Sequence, residues 1–599
     1  PKVPFALWLV MHSYLVLVAG LVPLTPNSRT RGFSAPLRGG RATLAVSPSP
    51  VSSRLPSERA QPGKRREAEP PEGKLVPDSW LDNWYPVMFT ADVPADSPVA
   101  AQVFERPLVL YKDEEGLQCL ADTCPHRLAP LSEGRLAVDA SGTTRLECSY
   151  HGWQFAGCGK CTKLPQLEGT KPILPLYGAS AYPVREAQGV AYVFLGNASL
   201  AESVPLALAP ELDAEGWIYE QDYMRDLPYD YTTLVENIID PSHVPVSHHG
   251  TVQGDRNLAQ PIATSVSERM PPIGFQGKTE VPLHASSRLS FAQTKAVQTV
   301  TFTAPSLLAY RFSVPAGDAS ALFYPIPVAR GRSRILVRRA RNFRTERVMR
   351  TADLVAKHLE NNIVFDQDMA FLCGQEARLQ ALRADGWGGA WRAKRDSEVG
   401  GGRSYVMPAE ADRFVISFRK QLDAAAAALP WRSPPLAGEA HAPPMPRTVL
   451  LDRYEQHTKK CPTCMAALKL TERLIGVSAS TSQVSLMAAL VLAVTPAPPL
   501  ALSLACAAAA AAYSAVLLRA YLVGPIIGAL SNRVAAVPLA ASAASAAILA
   551  LAPGGRAARV AAAATPLATA LCALYARRAL DGLRARFIYT EEAKALQIS

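Results

Sequence analysis

No aspartate or glutamate occurs before Glu58, and no charged residue of either sign lies between Arg473 and Arg519. The first absence excludes an ordinary folded start, since globular domains carry acids throughout their surface. The second excludes a conventional solvated surface over that stretch. Cysteine is sparse: ten in 599 residues rules out a disulfide scaffold. The net charge of +11 comes from dispersed Lys and Arg, without a basic stripe interleaved with aromatics, so nucleic-acid binding is excluded. A chain of this length exceeds one domain.

Phe5–Leu24 is apolar apart from His12 and Ser13, with Lys2 ahead of it, the pattern of a signal-peptide core. The acid-free stretch that follows, with Arg31, Phe33 and many Ser, has transit-peptide composition. Together they predict import into a plastid through a bipartite leader, with a membrane anchor and linker as the alternative. Because the chain opens on Pro1 rather than Met, a start further upstream is expected.

The scarce cysteines are not scattered. Cys124-Pro-His126-Arg and Cys148-Ser-Tyr-His151-Gly-Trp153 form two short Cys-His loops. That is the ligand set of a Rieske [2Fe–2S] cluster, two thiolates on one iron and two imidazoles on the other. A structural zinc site is the alternative use of the same residues. Strand-like runs at Val103–Tyr111, Leu117–Ala121, Arg145–Tyr150 and Ala191–Leu195, separated by turn residues, predict a small β domain. The motifs C-P-H-R-x-A-P-L-S-x-G, from Cys124 to Gly134, and C-x-Y-H-G-W-x-F, from Cys148 to Phe155, resemble those of Rieske-type non-haem iron oxygenases. Rieske proteins of cytochrome complexes carry an extra cysteine in each loop, and this chain does not.

A second metal motif follows at Asn237-x-x-Asp240-x-x-His243-x-x-x-x-His248. The spacing of Asn237, Asp240 and His243 places them on one side of a helical turn, with Pro245 ending the regular helix before His248. Two imidazoles and a carboxylate on one face of Fe(II) leave positions open for O2 and substrate. A long helix is predicted over Thr345–Leu382, broken only at Gly374, after strand-like runs at Thr279–Leu283, Ala296–Ala304, Ala309–Val314, Ser320–Pro325 and Arg334–Arg341. The resemblance implies that the iron carboxylate is Asp368, with Asp366 the alternative. It further implies that Asp240, and with it Asn237, serves catalysis: Asp240 joins His151 of one subunit to His243 of the next in a head-to-tail homotrimer.

A proline-rich linker at Pro430–Pro446 precedes His457-x-x-x-Cys461-Pro-Thr-Cys464. No second Cys/His pair lies nearby, so a four-ligand zinc knuckle is not expected, His457 offering only a third ligand. A redox dithiol is expected instead, with Lys459 and Lys460 favouring the Cys461 thiolate. Val477–Val494 and Leu500–Leu518 are candidate membrane spans, and Val534–Gly555 and Val560–Ala576 are two more.

This combination resembles the pheophorbide a oxygenase group, which includes translocon Rieske components and is related to chlorophyllide a oxygenase. The implied fold is α+β: a small all-β Rieske domain, a helix-grip domain in which an antiparallel sheet surrounds a long helix, and C-terminal transmembrane helices. The expected organisation is a targeting segment and linker at 1–77, a Rieske domain at 78–205, an iron domain at 206–430, a C-x-x-C linker at 431–476, membrane helices at 477–580 and a tail at 581–599. The implied activity is oxygenation of a chlorophyll-derived tetrapyrrole by O2 at Fe(II), fed by ferredoxin, in a plastid envelope or thylakoid membrane. The alternative is a redox-sensing import component whose Cys461/Cys464 pair exchanges with thioredoxin.

Overall fold

The computed structural model describes residues 80–494 apart from 168, 170, 252–253, 270–273, 283–294, 315–316, 344–350, 382–393, 396–401, 404, 425–429 and 431–444, together with 500–522 and 555–588. Residues 1–77, expected as a targeting segment and linker, residues 431–444 of the expected proline-rich linker, and most of the expected span Val534–Gly555 lie outside these residues.

The first domain is built from β1 (Trp84–Phe89), β2 (Val99–Val103), β3 (Arg106–Asp113), β4 (Gly116–Ala121), β5 (Arg135–Val138), β6 (Thr144–Glu147), β7 (Gln154–Phe155), β8 (Cys161–Lys163), β9 (Val184–Ala187) and β10 (Val190–Phe194). They form three antiparallel sheets, β2-β3-β4, β5-β6-β7-β8 and β1-β10-β9. The run Val103–Tyr111, expected as one strand, is two strands joined by a turn in which Phe104 and Glu105 hold φ of 48° and 61°. No glycine marks it. Tertiary contacts impose it: Phe104 is fully buried, edge-on to Tyr85 at 5.3 Å, and the Phe104 and Glu105 N–H groups donate to Pro327 and Val328 carbonyls at 2.6 and 2.8 Å. The expected strand Arg145–Tyr150 ends at Glu147, where the chain turns into a ligand loop.

The second domain begins with β11 (Ile218–Leu227), α1 (Tyr231–Ile239) and the short α2 (Val244–Ser247). The strands β12 (Thr264–Arg269), β13 (Gly274–Pro282), β14 (Lys295–Thr303), β15 (Leu307–Val314), β16 (Gly317–Ala329) and β17 (Arg332–Arg341) complete an antiparallel sheet in the order β11-β17-β16-β15-β14-β13-β12. The helix α3 (Thr351–Ala381) runs through Gly374 without the expected break, and α4 (Arg413–Ala424) follows. Phe414 and Phe418 of α4 share one core with Phe275, Phe302 and Tyr324 of the sheet and with Tyr231 and Val235 of α1. Phe365, Met369 and Leu372 of α3 pack instead on Tyr223, Ile335 and Val337 at the β11–β17 edge. The two domains lock through Arg338, which forms a bidentate pair with Asp222 at 2.6 and 2.5 Å, stacks over Phe89 and donates to the Gln188 carbonyl.

The C-terminal part comprises α5 (Arg447–Leu450), α6 (Arg453–Gln456), α7 (Pro462–Val494), α8 (Leu500–Leu522) and α9 (Gly555–Phe587). Its helices α7, α8 and α9 meet through Cys464, Leu468, Tyr513, Ala573, Ala576 and Leu580, and Val355 and Leu359 of α3 join the same core. Among the described residues, α7 alone is long and apolar enough to cross a membrane, and α8 has a shorter apolar part, Ala505–Leu517. The expected span Val560–Ala576 is the first half of α9, which continues through Arg577, Arg578, Asp581, Arg584 and Arg586.

Candidate active site

The two Cys-His loops are built alike. In each, the cysteine carbonyl accepts from the N–H four residues on (Leu128 at 2.8 Å, Gly152 at 2.9 Å) and the cysteine N–H donates to the carbonyl five residues on (Ala129 at 2.8 Å, Trp153 at 2.9 Å). That closure needs a left-handed residue, supplied by Leu128 at φ 61° and Gly152 at φ 72°. Gly134 completes the pair: a Cβ there would fall 2.3 Å from the Glu147 carbonyl oxygen, so only glycine lets the first loop lie against β6. Cys124 and Cys148 are each 2% exposed, whereas His126 is exposed and His151 half-buried. The imidazoles meet at 4.4 Å between centroids, and His126 stacks on Trp153 at 4.7 Å. Buried thiols behind and paired imidazoles in front are what an asymmetric cluster with two thiolate and two imidazole ligands requires. The third cysteine of this core, Cys161, is buried, and Cys158 is exposed.

The second motif does not lie on one helix. Pro241 disfavours a helical Asp240, so α1 ends at Ile239 and Asp240 is extended (φ −82°, ψ 112°). Pro245, expected to end the helix, instead sits in the first turn of α2, where its missing N–H costs nothing. His243 and His248 therefore flank α2 as its N-cap and C-cap. Their rings meet edge to face at 5.3 Å. From α3, Asp368 Oδ2 lies 3.6 Å from His248 Nε2 and 4.0 Å from His243 Nε2. One donor atom from each of the three residues falls within 4.8 Å of the others. The other carboxylate oxygen, Asp368 Oδ1, is buried without a hydrogen-bond partner. The donor set suits a ferrous ion with open positions.

Outer groups aim the rings. Gln367 Oε1 stands 3.2 Å from His248 Nδ1, and Asp240 Oδ2 lies 3.5 Å from His243 Nδ1, leaving both Nε2 atoms toward Asp368. Asp240 Oδ1 accepts from the Ser242 N–H at 2.8 Å, fixing the turn between the helices. Burial and the neighbouring His243 push His248 down to about 4, so it is neutral near pH 7. Burial raises Asp368 to about 6, against the pull of His243 and the Asn237 side chain. His243 runs the other way: burial would depress it, yet Asp240 and Asp368 together lift it. His249 turns away and accepts from the Arg256 N–H at 3.2 Å.

Asp366 does not join this group of donor atoms. It is held between Arg225 and Arg453, each at 2.5 Å. Sequence reasoning gave Gln367 no role, although it adjoins Asp368. A cavity of about 340 Å³ opens beside the site, lined by Asn237, Asp240 and His243, by the apolar Phe371, Leu372, Val406, Met407 and Val415, and by the polar Glu236, Gln375, Tyr405 and Asp412.

A β domain presenting two Cys-His loops, followed by a sheet domain that gathers two histidines and an aspartate beside a cavity, defines a Rieske-type non-haem iron oxygenase. The Rieske [2Fe-2S] domain family matches residues 83–177 and the Pheophorbide a oxygenase family matches residues 302–385. The chain is 34% identical to the chloroplastic pheophorbide a oxygenase of Arabidopsis thaliana over 74% of its own length and 82% of that protein's. It is 31% identical to the chloroplastic protein TIC 55 of Arabidopsis thaliana over 79% of its own length and 91% of that protein's. Crystalline dicamba monooxygenase bound to 3,6-dichlorosalicylic acid aligns at 19% identity, a TM-score of 0.47, and coverage of 58% of this chain and 99% of that one. The chain belongs to the pheophorbide a oxygenase family of Rieske oxygenases, and the cofactors of that class are a [2Fe–2S] cluster and a mononuclear iron.

Proposed function

We propose that this chain is a membrane-anchored plastid oxygenase that uses O2 and ferredoxin-derived electrons to oxygenate a chlorophyll-derived tetrapyrrole. Pheophorbide a is the first candidate, with chlorophyllide and protochlorophyllide as alternatives. The observation that carries this reading is the cavity abutting His243, where an apolar side (Phe371, Leu372, Val406, Met407, Val415) meets a polar one (Glu236, Gln375, Tyr405, Asp412), on the same polypeptide as the paired imidazoles of His126 and His151. The 34% identity to an Arabidopsis protein named for pheophorbide a supports the substrate class.

When bound, the cluster stores electrons and the ferrous ion activates O2. The chain's own groups prepare the ground for both. Cys124, His126, Cys148 and His151 would hold the cluster, and His243, His248 and Asp368 the iron. A proton on His248 Nδ1 would face Gln367 Oε1 at 3.2 Å and one on His243 Nδ1 would face the Asp240 carboxylate at 3.5 Å, which would leave each Nε2 its lone pair for the metal. Asn237 steadies Asp368. In a head-to-tail homotrimer the carboxylate of Asp240 would also reach the partner subunit's His151, giving a short hydrogen-bonded path between centres. Apolar residues exposed along α7 (Leu486, Met487, Leu490, Val494) and α9 (Leu567, Leu571, Leu574) support contact with a bilayer.

The test is O2 uptake and product formation by purified protein with reduced ferredoxin across the three tetrapyrroles. His243→Ala is expected to keep the cluster's visible spectrum and abolish turnover. Retained turnover in that variant would overturn the reading. The paired thiols Cys461 and Cys464 favour a second reading, a redox-sensing import component exchanging with thioredoxin. Tetrapyrrole oxidation unaffected by Cys461→Ser separates the first reading from the second.

A further inference from the structure

The segment before α7 brings a second set of metal-ligating groups together, away from the iron pocket. His358 of α3, His457 at the end of α6, and Cys461 and Cys464 at the start of α7 place one donor atom each within 4.8 Å of all the others. His457 and Cys464 are fully buried and His358 is 3% exposed. We propose that these four residues bind a structural zinc ion, independently of the oxygenase reading.

The distances are those of a tetrahedron's edges. His457 Nε2 lies 3.3 Å from Cys464 Sγ, and His358 Nδ1 lies 3.4 Å from Cys464 Sγ and 3.5 Å from Cys461 Sγ. Zn–S of about 2.3 Å and Zn–N of about 2.0–2.1 Å at a tetrahedral angle give N···S edges of about 3.5–3.6 Å. The sulfurs lie three residues apart on one face of a helix start, so the local backbone already sets half the tetrahedron.

The surroundings fit a metal better than an exchanging dithiol. His457 Nδ1 lies 2.5 Å from the Met224 carbonyl, so it is the protonated nitrogen and Nε2 keeps its lone pair. A histidine that donates its other N–H to a backbone carbonyl is the usual arrangement around zinc. Tyr223 stacks on His457 at 4.5 Å and meets His358 edge-on at 5.5 Å, closing the site on one side. The lysines expected to stabilise a free thiolate are engaged elsewhere, Lys459 with Glu455 at 3.1 Å and Lys460 with Asp226. A buried Cys464 is also poorly placed for attack by a second protein's thiolate. Binding converts both thiols to thiolates with loss of their protons. The ion would fasten α7 to α3, whose Asp368 lies ten residues beyond His358, about 15 Å along the helix axis.

The experiment uses the full chain purified in detergent. Elemental analysis is expected to find stoichiometric zinc beside the iron, and Cys461→Ser and His358→Ala are each expected to lose the zinc while retaining the cluster's visible spectrum. Protein produced with Co²⁺ provides a readout that needs no folded variant. A thiolate-to-cobalt charge-transfer band with tetrahedral d–d bands is expected, since cobalt bound by His243, His248 and Asp368 has no sulfur ligand. Wild-type protein without zinc and without that band, or with Cys461 and Cys464 joined in a disulfide by mass, overturns the proposal.

Discussion

Asp366 and Asp368 stand two residues apart on α3 and serve different parts of the molecule. Asp368 Oδ2 approaches His248 Nε2 at 3.6 Å, while Asp366 is gripped at 2.5 Å by both Arg225 and Arg453. Two residues turn an α-helix through about 200°, so one helix faces the iron pocket on one side and the C-terminal helices on the other.

Their substitutions should therefore part company. Asp366→Asn leaves two buried guanidinium groups without their carboxylate, and a loss of about 3–5 kcal/mol is expected from chemical denaturation. Asp368→Asn should keep the fold and the cluster absorbance but lose the mononuclear iron and turnover. Equal effects from both would contradict the division of the helix into two faces.

Asp240→Asn keeps the turn, because an amide oxygen can still accept from the Ser242 N–H. It removes the charge facing His243 Nδ1. Re-oxidation of the pre-reduced cluster by O2 with substrate present, followed by stopped-flow absorbance, should slow about tenfold or more. An unchanged rate would remove Asp240 from the electron path.

Gly152→Ala forces a side chain into φ 72° and sets its Cβ 3.3 Å from Pro165 Cγ. The left-handed conformation costs about 1–2 kcal/mol for a residue with a Cβ. The second ligand loop should open more readily, and the cluster should bleach faster in mild denaturant than in the parent protein.

Stability should fall with acid through Asp226. Burial would raise its carboxyl, but Arg334 and Lys460 outweigh that and hold it at about 2, against 3.8 for a free side chain. A depressed pKa stabilises the folded state above the unfolded value and loses the effect as pH drops toward the folded one. The contribution is about 2 kcal/mol near neutrality, lost between about pH 5 and pH 2. Denaturation midpoints measured across that window should decline less steeply in Asp226→Asn.

Sequence by itself determined the chemistry of the ligand loops, since each pair of cluster ligands lies within a single turn whose spacing fixes what it can hold. Cys124/His126, Cys148/His151 and His243/His248 are such local units, and the five strands expected between Thr279 and Arg341 are found as β13 to β17. The turn at Phe104–Glu105 was hidden because its backbone conformation is imposed by contacts with Pro327 and Val328, more than two hundred residues away. Only the tertiary structure set Asp368 beside the two histidines and Asp366 between two arginines, because a helix carries both with equal ease until something packs against each face. It also supplied His358, whose sole sequence trace is the stripe His358, Asn362, Asp366 at intervals of four, set among the apolar Val355, Leu359 and Ile363. Residues a hundred positions apart become co-ligands through the packing of α3 on the C-terminal helices, and no local spacing encodes that distance.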